Sequence, residues 1–193
     1  MTHAEWIATL LGIACVALAG TRSVWTFPTA IASVTLVGLV VFEARLYSDA
    51  LLQGFFVAAN LYGWATWRAA RARVGEVAVE RMSPAARWRW GAGIAAAALG
   101  WGAAMHALTD AAYPWWDAAI AAPSVGAQLL MARRKLENWV LWIAVDVASI
   151  PLYLAKGLTL LAGLYLVYLG LAVWGLVGWA RAERRPVAAV AAA

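Results

Sequence analysis

Seven apolar blocks, each 15 to 23 residues long, occupy most of this chain and leave it very few ways to fold. They run approximately Trp6–Gly20, Phe27–Phe42, Ala50–Trp67, Trp90–Leu108, Ala118–Ala132, Trp139–Leu154 and Gly157–Trp179. Such lengths cross, or nearly cross, a hydrocarbon layer about 30 Å thick. That layer holds no water, so each segment must pair its own backbone polar groups, and the blocks read as helices. The shortest blocks make only about 24 Å of helix at 1.5 Å per residue, and reach further through their polar ends or where the bilayer thins. Composition agrees: 65% of the chain is hydrophobic and 13% is charged, against about 45–50% and 25% in a soluble domain. The expected class is an all-α transmembrane protein of seven helices.

The charges sort by side. With seven crossings, Arg22, Arg68, Arg71, Arg73, Arg81, Arg87, Arg89, Arg133, Arg134, Lys135, Arg181, Arg184 and Arg185 all fall on one side, leaving only Arg45 and Lys156 on the other. The positive-inside bias places the crowded side in the cytoplasm, with the N-terminus outside and the C-terminus inside. The net charge of +5 is then a topology signal and a contact for anionic lipid heads, and nucleic-acid binding is not expected. Met1 to Glu5 contain no Lys or Arg, so the first block lacks the basic start of a signal peptide and is expected to remain as a helix. Cys15, the single cysteine, reads as a small buried hydrophobe.

A shift of 112 residues lays the first three blocks on the last three without a gap, so that Arg22 meets Arg134, Gly63 meets Gly175 and Trp67 meets Trp179. Only nine of the 64 pairs from Glu5 to Arg68 are identical, so the coincidence of boundaries carries the comparison. Three helices are an odd number, and the leftover block restores the direction of travel. The expected organisation is a first three-helix bundle at 1–68, a basic cytoplasmic loop and linker helix at 69–112, a second bundle at 113–180 and a cytoplasmic tail at 181–193. Parallel 3+1+3 repeats are a transporter arrangement, with the substrate site near the midplane between the triplets.

Polar side chains inside spans are costly, about 2.5–3.5 kcal/mol for a central Asp on translocon scales, and tend to face the bundle interior. Gln53, Phe56, Asn60, Trp64 and Trp67 share one face of the third span, and Asn138, Trp142, Asp146, Ser149 and Tyr153 share one stripe of the sixth. Ser124 and Gln128 lie on the fifth, Tyr165 and Tyr168 on the seventh. Amides, hydroxyls and indole faces suit a flat ring bearing a sugar. Asp146 is open to two readings, a counter-charge or proton carrier on the one hand and a structural paired carboxylate on the other. Asn60 and Gln53 could equally bridge helices. Trp6, Trp67, Trp88, Trp90, Trp115, Trp116, Trp139 and Trp179 lie near span ends, where an interfacial belt is expected. Pro151 is expected to kink the sixth span. His106 reads as a satisfied structural histidine. No Walker A loop, metal-ligand cluster or nucleophile–base spacing occurs, so neither an enzyme nor a cofactor is expected.

The run from Gln128 through Arg133-Arg134-Lys135-Leu136-Glu137-Asn138-Trp139 and Trp142, with Asp146 and Ile150-Pro151-Leu152-Tyr153, resembles the PnuC family of vitamin transporters. Arg45 to Gln53 and Leu61-Tyr62-Gly63-Trp64 resemble its third core helix, and Trp25 to Pro28 the turn before its second. Pro123, the alanine-rich fifth span and Gly54-Phe55-Phe56 depart from the family pattern. The resemblance implies a SWEET-like fold and facilitated diffusion of nicotinamide riboside across a bacterial inner membrane, with trapping by a cytoplasmic kinase. Related members handle thiamine or riboflavin, and thiamine, also a flat cation, is the runner-up substrate. A sensor or assembly subunit is the alternative of another class. The resemblance carries binding roles to Asn138, Trp142 and Asp146, and to Gln53, Asn60, Trp64 and Gln128. The oligomeric state is open, with a homotrimer suspected.

Overall fold

The computed structural model describes residues 3–43, 47–110 and 112–184. Its seven helices are α1 (His3–Gly20), α2 (Thr26–Glu43), α3 (Tyr47–Val74), α4 (Pro84–Leu108), α5 (Pro114–Ala132), α6 (Asn138–Ala155) and α7 (Thr159–Glu183). The chain is all-α, as expected. Arg45 and the tail from Arg185 onward lie outside the described residues.

The two largest departures from the expected boundaries have identifiable reasons. α3 continues seven residues beyond Trp67 to Val74, with Arg71 and Arg73 in its last turn, where cations complement the negative end of the helix. α4 begins at Pro84, six residues before Trp90. The Ser83 hydroxyl accepts the Ala86 N–H at 3.3 Å, and Pro84 occupies the first position, where its missing N–H costs nothing.

Among the described residues, α4, α6 and α7 are long and apolar enough to cross a membrane alone, and α1 and α2 contain shorter apolar stretches, Trp6–Gly20 and Thr26–Val40. The polar groups of α3 and α5 keep these two out of that set, and several of them turn inward. Packing follows the chain: α1 on α2 on α3, and α5 on α6 on α7, with the triplets meeting through α1–α7 and α3–α5. α4 packs on α5 alone.

Local geometry recurs at the 112-residue offset. α1 and α5 both end on an arginine in the left-handed region, Arg22 at φ 61° and Arg134 at φ 58°. The next residue returns a bond five positions back in each, Ser23 N–H to the Leu18 carbonyl and Lys135 N–H to the Leu130 carbonyl, both at 2.9 Å. This closes the helix by satisfying a terminal carbonyl. Across the two triplets, Trp67 Nε1 donates to the Met131 carbonyl and Trp179 Nε1 to the Ala19 carbonyl, both at 3.0 Å. Trp67 and Trp179 stand 112 apart, as do Ala19 and Met131.

These indoles overturn one expectation. Trp67, Trp139 and Trp179 are not belt residues: each is 0% exposed. They form the centre of the core with Phe27 and Leu136. Ring centroids lie 5.6 Å apart for Trp67–Trp179, 5.7 Å for Trp139–Trp179 and 4.9 Å for Phe27–Trp67. Glycines make room for them, since a Cβ on Gly63 would stand 2.3 Å from Phe27 Cε1 and one on Gly175 2.6 Å from Trp139 Cη2. Trp6, Trp88, Trp115 and Trp116 are exposed and remain compatible with an interfacial belt.

The connector before α4 caps this aromatic layer. Val77 and Met82 are buried, and Glu80 bonds through its backbone to Arg134 and Leu136 at 3.0 and 2.9 Å. Its carboxylate takes bonds from Lys135 and Arg134. The Lys135 bond is the main reason that carboxyl lies below its ordinary value of 4.5. Glu137 accepts from Met82 N–H and, at 2.9 Å, from Arg87 Nε. Arg22 pairs with Glu76 and Arg81 with Glu183. Several of the cations read from sequence as lipid contacts are thus held by acidic partners far along the chain.

Candidate functional site

The polar stripes of α3, α5 and α6 turn inward above the aromatic layer. Asn60, Gln128, Asn138, Asp146 and Ser149 are all buried, and Gln53, Phe56, Trp64, Trp142 and Tyr153 partly so. Their contacts separate them into groups.

Asn60 and Gln128 form a bridge. Gln128 Nε2 donates to Asn60 Oδ1 at 3.0 Å, and Asn60 Nδ2 donates to the Phe56 carbonyl one turn back at 2.8 Å. This bond joins α3 to α5, hence one triplet to the other. Beside it, Thr66 Oγ1 donates to the Ala132 carbonyl at 2.8 Å. Gln53 packs its aliphatic carbons against α2, where a Cβ on Gly38 would stand 3.2 Å from Gln53 Cβ.

On α6, Asp146 makes no hydrogen bond or ion pair with the described residues and lies within electrostatic reach of Tyr165 and Tyr168. These belong to a ladder of three tyrosines, with Tyr153–Tyr165 centroids at 5.0 Å and Tyr165–Tyr168 at 5.7 Å. The Tyr168 hydroxyl reaches α1, where a Cβ on Gly12 would meet it at 2.6 Å, close to the Ser33 hydroxyl of α2. The sequence places Tyr165 and Tyr168 among the interior polar residues of the seventh span, but it marks neither Gly12 nor Ser33.

Asn138 and Trp142 sit lower. Asn138 Nδ2 donates to the Lys135 carbonyl at 2.7 Å, tying down the α5–α6 turn. Eight residues of helix put Asn138 about 12 Å below Asp146, beside the aromatic layer. Trp142 packs against the rim of that layer. Three buried atoms of α6, Asn138 Oδ1, Trp139 Nε1 and Ser149 Oγ, have no hydrogen-bond partner among the described residues. An unsatisfied buried polar group costs about 1–3 kcal/mol, which a ligand or a water relieves.

Trp64 stands apart from both groups. Arg68 lies 5.8 Å over its ring, and the two line a cavity of about 270 Å³ with Val24 and Trp25 at the charged end of the molecule. A second cavity, about 350 Å³, opens between α4 and α5 and contains none of the ten candidates. Among the described residues no group of three or more His, Cys, Asp or Glu side chains comes together as a metal site.

Residues 2–181 match the model of the nicotinamide mononucleotide transporter family. The riboflavin/roseoflavin transporter RibM of Streptomyces davaonensis is 35% identical over 96% of this chain and 91% of its own length. The nicotinamide riboside transporter PnuC of Escherichia coli is 27% identical over 93% of this chain and 86% of its own. That of Neisseria mucosa is 30% identical over 93% and 72%. A crystal structure of the vitamin B3 transporter PnuC superposes with a TM-score of 0.76 at 26% identity, covering 94% of this chain and 82% of that one. With apolar helices fit to cross a bilayer, a polar interior and a family match over nearly its whole length, this chain belongs to the nicotinamide mononucleotide transporter family, PnuC proteins included, and is a multi-pass membrane transporter of a small vitamin-type molecule rather than an enzyme.

Proposed function

We propose that this protein carries nicotinamide riboside across a bacterial inner membrane by facilitated diffusion, through the interface between two parallel three-helix repeats. The observation that carries the reading is Asp146, an interior carboxylate without a cationic partner among the described residues. A charge so placed is costly in hydrocarbon, and the pyridinium of nicotinamide riboside would supply the missing positive charge. The tyrosine ladder offers ring faces beside it, Ser149 Oγ offers a free polar atom for a ribose hydroxyl, and Asn138 Oδ1 offers another lower on the path. Gln53, Phe56, Asn60, Gln128, Trp142 and Tyr153 complete the proposed lining. Trp64 is assigned to the cytoplasmic end of the path, where its cavity lies.

The matched turns and reciprocal indole bonds support the 3+1+3 repeat, with α4 as the linker. In this arrangement the aromatic layer closes the cytoplasmic end, the N-terminus faces out, and transport proceeds by rocking one triplet against the other. Phosphorylation by a cytoplasmic kinase would trap the product and pull net uptake. Assembly as a homotrimer belongs to the same proposal.

Riboflavin is a second reading, favoured by the 35% identity to RibM. Riboflavin is uncharged, so the two vitamins place different demands on Asp146. Purified protein in liposomes, given labelled nicotinamide riboside or labelled riboflavin, separates them. The expected result is saturable nicotinamide riboside uptake that stops at equal concentrations on both sides, ignores an imposed pH gradient and falls at least about tenfold in Asp146→Asn. Uptake of riboflavin alone, unaffected by that substitution, would transfer the function to the second reading. Uptake of neither vitamin would reject transport of this class.

A further inference from the structure

The cavity between α4 and α5 points to a ligand other than the carried vitamin. α4 leans on α5 alone, and the two helices touch closely at Gly126, where a Cβ would stand 2.6 Å from Ile94 Cδ1. On either side of that contact small residues leave a groove of about 350 Å³, lined by Gly93, Ala97, Ala122, Val125 and Leu129. From Ala86 to Ala97 the lining spans twelve residues of α4, about 16 Å along the helix. The groove is apolar along its length and opens on the outer surface of the bundle, where the bilayer lies.

Its charged end is different. Arg89 and Trp90 line it, and the Arg133 guanidinium lies 5.6 Å over the Trp90 ring. Both arginines are exposed. Neither makes an ion pair with a described residue, whereas their neighbours Arg87 and Arg134 are paired with Glu137 and Glu80. No acidic side chain lines the groove. Two unpaired cations and an indole thus sit at the level of the charged connector, at one end of an apolar slot. Basic pockets between membrane helices suit acidic lipid head groups, and a tryptophan at that depth suits the interface.

We propose that this groove binds an anionic phospholipid, one acyl chain lying between α4 and α5 and the phosphate held by Arg89 and Arg133. The lipid fills the seam left where the linker helix leans on a single neighbour.

Native mass spectrometry of the full chain, with added phosphatidylglycerol or phosphatidylcholine, tests this directly. Each arginine near an anionic head is worth about 1 kcal/mol, so the double variant Arg89→Gln, Arg133→Gln should lose about 30-fold in phosphatidylglycerol affinity. Its phosphatidylcholine affinity should be unchanged. Gly93→Leu, placed where an added Cβ meets nothing within 4 Å, should extend its side chain into the groove and weaken both lipids while the protein stays folded. Unaltered phosphatidylglycerol affinity in the arginine double variant, or undiminished binding of both lipids to Gly93→Leu, would overturn the proposal.

Discussion

Adding one methyl group at Gly63 or Gly175 tests whether the buried aromatic layer is as tightly fitted as its distances say. A Cβ on Gly175 would lie 2.6 Å from Trp139, whereas ordinary contact begins at 3.4 Å, so the indole must retreat about 0.8 Å. On Gly63 the distance to Phe27 is 2.3 Å and the retreat about 1.1 Å. Neither ring has room to give way: Trp139 and Phe27 are 0% and 1% exposed, and each stands against another tryptophan. Overpacking of this kind costs about 1–3 kcal/mol, while glycine to alanine in a helix otherwise gains roughly 0.5–1 kcal/mol. The expected net loss is therefore up to about 2.5 kcal/mol for Gly175→Ala and somewhat more for Gly63→Ala. Gly163 and Gly170 of α7 have nothing within 4 Å of the added atom, and their alanine variants should be neutral or more stable. Unfolding by SDS titration in mixed micelles, followed by tryptophan fluorescence, ranks the four. Equal stability across them would refute the tight fit.

Three further outcomes follow from contacts elsewhere. Asn60→Leu and Gln128→Leu, singly and together, should give a coupling of about 0.6 kcal/mol and no more than about 1.7; additive effects would remove the bridge from the account. Asn138→Ala and Trp142→Ala should each weaken substrate binding about 5- to 30-fold by titration calorimetry while expression holds, and wild-type affinity in both would take them out of the site. Glu80 has a depressed folded pKa, so its ion pairs contribute stability above pH 4.5 that is lost as pH falls through the folded value. Melting temperature should drop on acidification below that point, less steeply in Glu80→Gln, with a small difference because half the side chain is exposed to water. Parallel acid limbs would contradict the clamp.

The helices and the inward polar stripes were legible in the sequence because hydrocarbon makes both obligatory. A run of apolar residues has no alternative to helix, and Asn60, Gln128, Asp146 and Ser149 could not stably face lipid. What escaped was set by partners far along the chain. Trp67, Trp139 and Trp179 have the sequence position of belt residues. They are buried because Gly63 and Gly175 open space beside Phe27 and Trp139, and because residues around Val77 and Met82 fold over them. Glu80 meets Arg134 and Lys135 across more than fifty residues, so no local pattern marks the pairing. Trp64 shares the polar face of α3 in register, yet it stands one turn below Asn60, low enough to lie with Arg68 at the charged end. The hydroxyl of Ser33, which donates to the Ala8 carbonyl at 2.8 Å, and Gly12 opposite Tyr168 gained meaning only once α1, α2 and α7 were side by side.

The account rests on a vitamin ring entering between the two triplets, and a structure solved with nicotinamide riboside bound answers that most directly. The ring should lie against the Tyr153–Tyr165–Tyr168 ladder with its charged nitrogen toward Asp146 and its ribose toward Ser149. Density for the vitamin in the α4–α5 groove, or on the outer surface with the tyrosine ladder empty, would contradict the account.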